Sequence, residues 1–226
     1  MSNNNNSSSK CFQDDSIKEM SCVKVSSKAG KIFCLTIIGE IEGHVDLPRT
    51  TKTTKYEHII PELVRIEEDD EISALLLLLN TVGGDVEAGL AIAELMSSMK
   101  KPTVSIVLGG GHSIGVPLAV SAKYSLIVPS AVMTVHPIRT TGTIINTPQT
   151  FEQLTKLQDR LLSFISRNSN ITEKKIRSLM MATGNISNDT GTVLFGEEAV
   201  EAGLIDKVGG ISDALKCVEN IVKNKK

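Results

Sequence analysis

"ISALLLLLNTVGGDVEAGLAIAELMSSMKKPTVSIVLGGGHSIGVPLAV", residues Ile72 to Val120, carries the architecture of this chain. Its opening, Ile72 to Leu79, is apolar almost throughout, as a strand buried on both faces requires. A Gly-Gly turn follows, and from Asp85 to Lys100 the period changes. Val86, Leu90, Ala93 and Met96 share one helical face, and Asp85 and Glu87 stand at the end where the helix dipole favours anions. Thr103–Leu108 reads as a second strand, Gly109-Gly110-Gly111 as a second turn, and the run from Val116 as a second, shorter helix. Strand, glycine turn and helix twice over predict an α/β protein with a mainly parallel sheet. In such sheets the reactive groups gather on turns at the C-terminal ends of strands.

The flanks extend the alternation. Lys31–Gly39 is rich in β-branched and apolar residues and suits a strand. Residues 40–58 are polar, with a Thr/Lys cluster, and read as a long loop. Helical spacing resumes after Pro61. Tyr124–Pro129 and Ala131–His136 read as short strands, and residues 150–170 as a long amphipathic helix. Thr172 is placed to cap another helix, and residues 196–223 read as helix, short strand, helix. The first residues, to about 28, are Asn/Ser-rich and too polar to order themselves. The expected organisation is a polar tail over 1–28 and one folded domain over 29–226.

Composition excludes several functions. The 226 residues carry a formal net charge of -2, which leaves no electrostatic footprint for nucleic acid or an anionic membrane. Aromatics make up 3% with no Trp, too few for a base-stacking platform. Cys11, Cys22, Cys34 and Cys217 are scattered without a CxxC pair, so neither a metal site nor a disulfide framework is expected, and Cys34 reads as a buried thiol. The N-terminus has no apolar stretch of the secretory kind, and Ile72–Leu79 is too short to span a bilayer. A reduced, cytoplasmic setting is the expectation, with no cofactor.

The second glycine turn offers three readings. A dinucleotide fingerprint would use Gly109 and Gly111, but the position five residues on is Ile114. A P-loop would use Gly110 and Gly115, but Val116 and Pro117 follow where Lys and Ser/Thr are needed. The remaining reading is G-x-S-x-G, "GHSIG", between a strand and a helix. There flanking glycines allow a sharp turn that exposes the Ser113 hydroxyl, and the helix N-terminus would help hold an oxyanion. A plain structural turn with Ser113 as a cap fits this motif equally well. The α/β-hydrolase order of nucleophile, acid, histidine fails, since no Asp or Glu lies between Ile114 and Val135.

A serine nucleophile needs a base. His112 adjoins Ser113 and is expected to point away; His44 lies in the loop and His58 beside Ile59. His136 ends a strand on the side where active groups gather and is the favoured base. The first turn, at Gly83-Gly84, repeats the design of the second, so the two together could offer an oxyanion two backbone N–H groups.

These segments resemble the ClpP-type serine peptidase family, within the wider crotonase-like fold. "LNTVGGDVEAGLAIAELM" is similar to the family's asparagine–Gly-Gly–helix segment, "VLGGGHSIG" to its nucleophile turn and "AVMTVHP" to its base-bearing strand. "GEEAVEAGLID" resembles the segment after its acid. The resemblance spans about residues 32 to 217. It implies a repeated ββα superhelix with a protruding handle helix, near Thr150–Asn168. It further implies serine endopeptidase activity on peptides or unfolded polypeptides, with Ser113 as nucleophile, His136 as base and the N–H groups of Gly84 and Ile114 as oxyanion hole. The family's aspartate position falls on Gly191. Asp189, two residues earlier, is the acid at hand; otherwise a carbonyl, another acid or no third group orients His136. Asp206 reads as structural.

The resemblance also implies a homo-oligomer of stacked heptameric rings. Many family members receive substrate from an AAA+ ATPase, but the polar tail and "EGHVDLPRTTKTTKYEH" are unlike the segments that serve this elsewhere in the family. Two rivals follow. One is a Ser–Lys enzyme like the signal peptide peptidases of this fold, using Lys123, Lys156, Lys174 or Lys175. The other is a ring-forming scaffold with a degenerate site. An acyl-CoA enzyme of the crotonase type ranks last.

Overall fold

The structure is a computed structural model and describes residues 22–142, 145–186 and 189–224, the side chains of 185, 186 and 189 excepted. Among the described residues the elements run β1 (Val23–Ser27), β2 (Gly30–Glu42), β3 (Thr53–Lys55), α1 (Tyr56–Glu68), β4 (Ile72–Gly84), α2 (Val86–Ser98), β5 (Thr103–His112), α3 (Gly115–Val120), β6 (Tyr124–Ile127) and β7 (Val132–Val135). They continue with α4 (Thr147–Arg167), α5 (Glu173–Met180), β8 (Thr183–Ile186), β9 (Asp189–Thr190), β10 (Thr192–Phe195), α6 (Gly196–Glu201), β11 (Lys207–Val208) and α7 (Ile211–Asn224).

The main sheet has the order β1-β2-β4-β5-β6-β11, with β3 on β2 and the pair β7-β10 branching from β5. The β2–β4, β4–β5, β5–β6, β5–β7 and β6–β11 pairings are parallel, as the alternation predicts. β4 is apolar throughout because both of its faces are covered. Leu75, Leu77 and Leu79 join the core beneath α1 to α4, while Ala74 and Leu76 pack with Ala214, Val218 and Val222 of α7. Burying one such leucine stabilises the fold by about 2 kcal/mol.

Three local expectations change. Val23–Ser27, assigned to the tail, forms β1, an antiparallel partner of β2 through Val23↔Cys34 to Ser27↔Gly30. Main-chain pairing orders a segment whose Val23 and Val25 stay exposed. The stretch 40–58 is not all loop: β2 continues through Glu42, β3 adds in parallel, and the buried Glu42 holds Lys55 at 3.2 Å. α1 starts at Tyr56 rather than after Pro61. An internal proline costs a helix one hydrogen bond and about 3 kcal/mol, which burial of Ile59, Leu63 and Ile66 offsets. Thr172 caps α5, accepting from the Lys175 N–H at 3.3 Å, and Cys34 is buried.

What positions the site is a branch in β5. Its first half, Val104–Val107, pairs with β6; its second, Gly110–His112, pairs with β7. At the same level the β4 register jumps, from Leu79↔Val107 to Thr81↔Gly111. The triple glycine thus leaves the β6 side of the sheet and delivers the following turn to β7, the strand that His136 follows directly.

Candidate active site

Ser113 stands at the tip of that turn with φ +56, in the left-handed region where a residue bearing a Cβ is strained by about 1 kcal/mol. Hydrogen bonds on both sides hold it there. Its N–H donates to the Thr134 carbonyl at 2.9 Å, and its own carbonyl accepts from Val116 N–H at 3.0 Å. Gly83 lies against it: a Cβ there would come within 2.8 Å of the Ser113 Cβ. The strand–turn–helix read from "GHSIG" is therefore an elbow with a strained, half-buried serine at its tip.

Ser113 and His136 line one cavity of about 200 Å³, together with Gly84, Ile114, Val116, Pro117, Ile138, Leu161, Ile165 and Met180 among others. The walls are mostly apolar, supplied by α3, α4, α5 and the chain after β7. Among the described residues no hydrogen bond joins the Ser113 hydroxyl to His136. Such pairs often stand apart without substrate and tighten on binding.

His136 Nδ1 lies 2.7 Å from the Pro137 carbonyl oxygen. A carbonyl can only accept, so Nδ1 carries the proton and the Nε2 lone pair is free. The other histidines lie elsewhere or serve otherwise. His44 meets the Tyr56 hydroxyl at 3.3 Å, and His58 is exposed. His112 does not simply point away into solvent: it is half-buried, with Nδ1 2.8 Å from Thr134 Oγ1. Burial, and then the nearby charge of His136, lower its pKa.

Gly84 and Ile114, the residues whose amides are expected to hold an oxyanion, both line the cavity. Asp85 N–H donates to Ile41 O at 2.9 Å. Donors alternate sides along a strand, so the Gly84 N–H is turned from β2 toward β5. Gly84 has φ +142, and a Cβ there would strike the Ile41 backbone at 2.3 Å.

The acid position is the departure. β10 pairs antiparallel with β7 through Thr192↔Val135. Gly191, the position expected for the acid, lies one residue before that rung, holds no side chain, and donates its N–H to the Ala182 carbonyl at 2.8 Å. The Asp189 side chain lies outside the described residues. Asp206 accepts from the Ser125 N–H and hydroxyl, each at 2.8 Å, a structural tie to β6.

None of the lysines of the Ser–Lys alternative lines the cavity. Lys123 Nζ donates to the Lys100 and Lys101 carbonyls, Lys156 pairs with Glu152 at 2.6 Å, and Lys175 reaches the Glu201 carbonyl. Sequence reasoning passed over Asn80, whose Oδ1 accepts from Gly110 N–H at 2.8 Å and fills the gap in the β4–β5 ladder. A polar residue closing an apolar strand opposite three glycines was the available signal.

A family model of the Clp protease matches residues 30–212. The chain belongs to the Clp protease family. It is 56% identical over 192 residues to the translocation-enhancing protein TepA of Halalkalibacterium halodurans, covering 85% of this chain and 75% of that one. It is 36% identical over 126 residues to the ATP-dependent Clp protease proteolytic subunit of Streptococcus uberis, across 52% of this chain and 63% of the relative. The subunit of the same name from Lactococcus lactis is 32% identical over 158 residues, 66% and 74% of the two chains. Within this Clp protease member no helix among the described residues is long and apolar enough to cross a membrane.

Proposed function

We propose that the chain is a serine endopeptidase that hydrolyses peptide bonds through an acyl-enzyme on Ser113. The observation that carries this reading is a strained Ser113 sharing a mostly apolar cavity with a His136 whose Nδ1 proton is engaged by the Pro137 carbonyl. The Ser113 hydroxyl attacks the substrate carbonyl as His136 Nε2 removes its proton. The oxyanion accepts hydrogen bonds from the Gly84 and Ile114 N–H groups. His136 then protonates the departing amine, and a water activated by the same imidazole releases the acyl group and restores the serine.

The side-chain walls from Val116, Ile138, Leu161, Ile165 and Met180 favour an apolar side chain beside the scissile bond. The substrate is accordingly an extended peptide or an unfolded polypeptide. Family membership supports a homo-oligomeric ring, and the exposed Phe151 near the start of α4 gives that helix an apolar tip to bury between copies. The setting is the cytoplasm. An ATPase partner has no support in residues 22–58.

The test is a fluorophosphonate probe on the full chain, with native mass measured on the same sample. Wild type should label and Ser113→Ala should not. Equal labelling of both would overturn the peptidase reading and favour the ring-forming scaffold, which the glycine at the acid position also favours.

A further inference from the structure

We infer that Thr134, through its hydrogen bond to His112, is a positioning residue that sets the Ser113 nucleophile against the strand bearing the base. The inference rests on the peptidase reading of the site.

β5 and β7 run in the register Gly110↔Val132, Gly111↔Met133, His112↔Thr134, so Thr134 stands at the last rung before the elbow. Two bonds converge on it. Its carbonyl accepts the Ser113 N–H at 2.9 Å, and its hydroxyl meets His112 Nδ1 at 2.8 Å. The end of a ladder is where pairing opens most easily, and this end carries a serine at φ +56 that persists only if its surroundings over-determine it. The hydroxyl–imidazole bond is the side-chain tie at that rung.

The ring is fitted to the backbone it secures. A Cβ on Gly110 would come within 2.7 Å of His112 Cδ2 and Nε2, so the imidazole lies directly over the middle glycine of the turn. His136 follows two residues after Thr134, on the same side of the extended chain. One threonine thus holds the nucleophile's amide, grips the preceding ring and leads directly to the base. Burial favours neutral His112, so its ring does not oppose the imidazolium that His136 becomes during attack.

The experiment compares second-order fluorophosphonate labelling, together with peptide kcat and KM, in wild type, Ser113→Ala, Thr134→Val, Thr134→Ser, His112→Phe and the double variant Thr134→Val with His112→Phe. Thr134→Val keeps the β-branched shape and deletes the hydroxyl. It should slow labelling and kcat roughly tenfold with KM unchanged, since small misplacements of a reacting group cost rate rather than binding. Thr134→Ser should restore both. His112→Phe should show the same loss, and the double variant should be no slower than either single, because both remove one bond.

Thr134→Val labelling at the wild-type rate, a loss that Thr134→Ser leaves uncorrected, or single losses that multiply in the double variant would each overturn the inference alone. If Thr134→Val does not fold, His112→Phe labelling at the wild-type rate overturns it. Wild type labelling no faster than Ser113→Ala would instead overturn the peptidase reading, and this inference with it.

Discussion

The carbonyl oxygen of Pro137 lies 2.7 Å from Nδ1 of His136, so the residue after the base fixes its tautomer. In a Ser-His-Asp triad an aspartate does this and also stabilises the imidazolium. Here the position expected for the acid is Gly191, without a side chain, and the group beside His136 Nδ1 is a neutral carbonyl.

On the proposed peptidase reading, that carbonyl contact predicts a small role for Asp189. Loss of the acid costs a conventional triad about 10⁴-fold in kcat. Asp189→Asn is expected to lower peptide turnover by less than about tenfold. A loss near the full triad value would mean that the Asp189 carboxylate reaches His136.

Gly83 packs against the proposed nucleophile. At φ +98, with a Cβ due 2.8 Å from the Ser113 Cβ, Gly83→Ala must displace the elbow. It should cost about 1–2 kcal/mol of stability and abolish probe labelling. Urea unfolding and labelling of one preparation check both.

Asn80 supports the turn from the other side. A hydrogen bond contributes about 1 kcal/mol, a factor of roughly five in rate if the whole effect reaches the elbow. Asn80→Ala should slow labelling by about that factor, whereas Asn80→Asp, which keeps an acceptor for Gly110 N–H, should stay near wild type.

His112 gives a stability signature. Its folded pKa lies below the ordinary 6.5, from burial first and the His136 charge second. The folded protein therefore binds fewer protons than the unfolded chain as pH falls through and below 6.5. Stability should be fully present above that value and decline below it. Urea midpoints between about pH 7 and pH 5 should fall less steeply in His112→Gln, which has no group to titrate there.

The parts of the site that follow from chain-local rules could be read in advance. Ser113 between two glycines, the Gly83-Gly84 turn, His136 at a strand end and the two-sided burial of β4 all express themselves within a few residues. The roles of His112, Thr134 and Asn80 could not be read that way. His112 and Thr134 meet only because β5 changes partner at the triple glycine, and a register between strands 22 residues apart leaves no local pattern. β1 escaped for a related reason: its order comes from main-chain pairing to β2, while Val23 and Val25 bury little. Pro61 misled because propensity speaks for one residue, and α1 is decided by the three isoleucine and leucine anchors it buries.

The proposed oxyanion donors are main-chain groups, and the contours of the cavity are side chains on α3, α4 and α5 and just after β7. Chemistry and selectivity therefore have separate genetic addresses. Exchanges at Val116, Ile138, Leu161, Ile165 or Met180 can reshape what is accepted without moving an N–H that does the work. On the proposed reading, a lineage carrying this scaffold can change its diet by ordinary point substitution while the bond-breaking apparatus stays fixed.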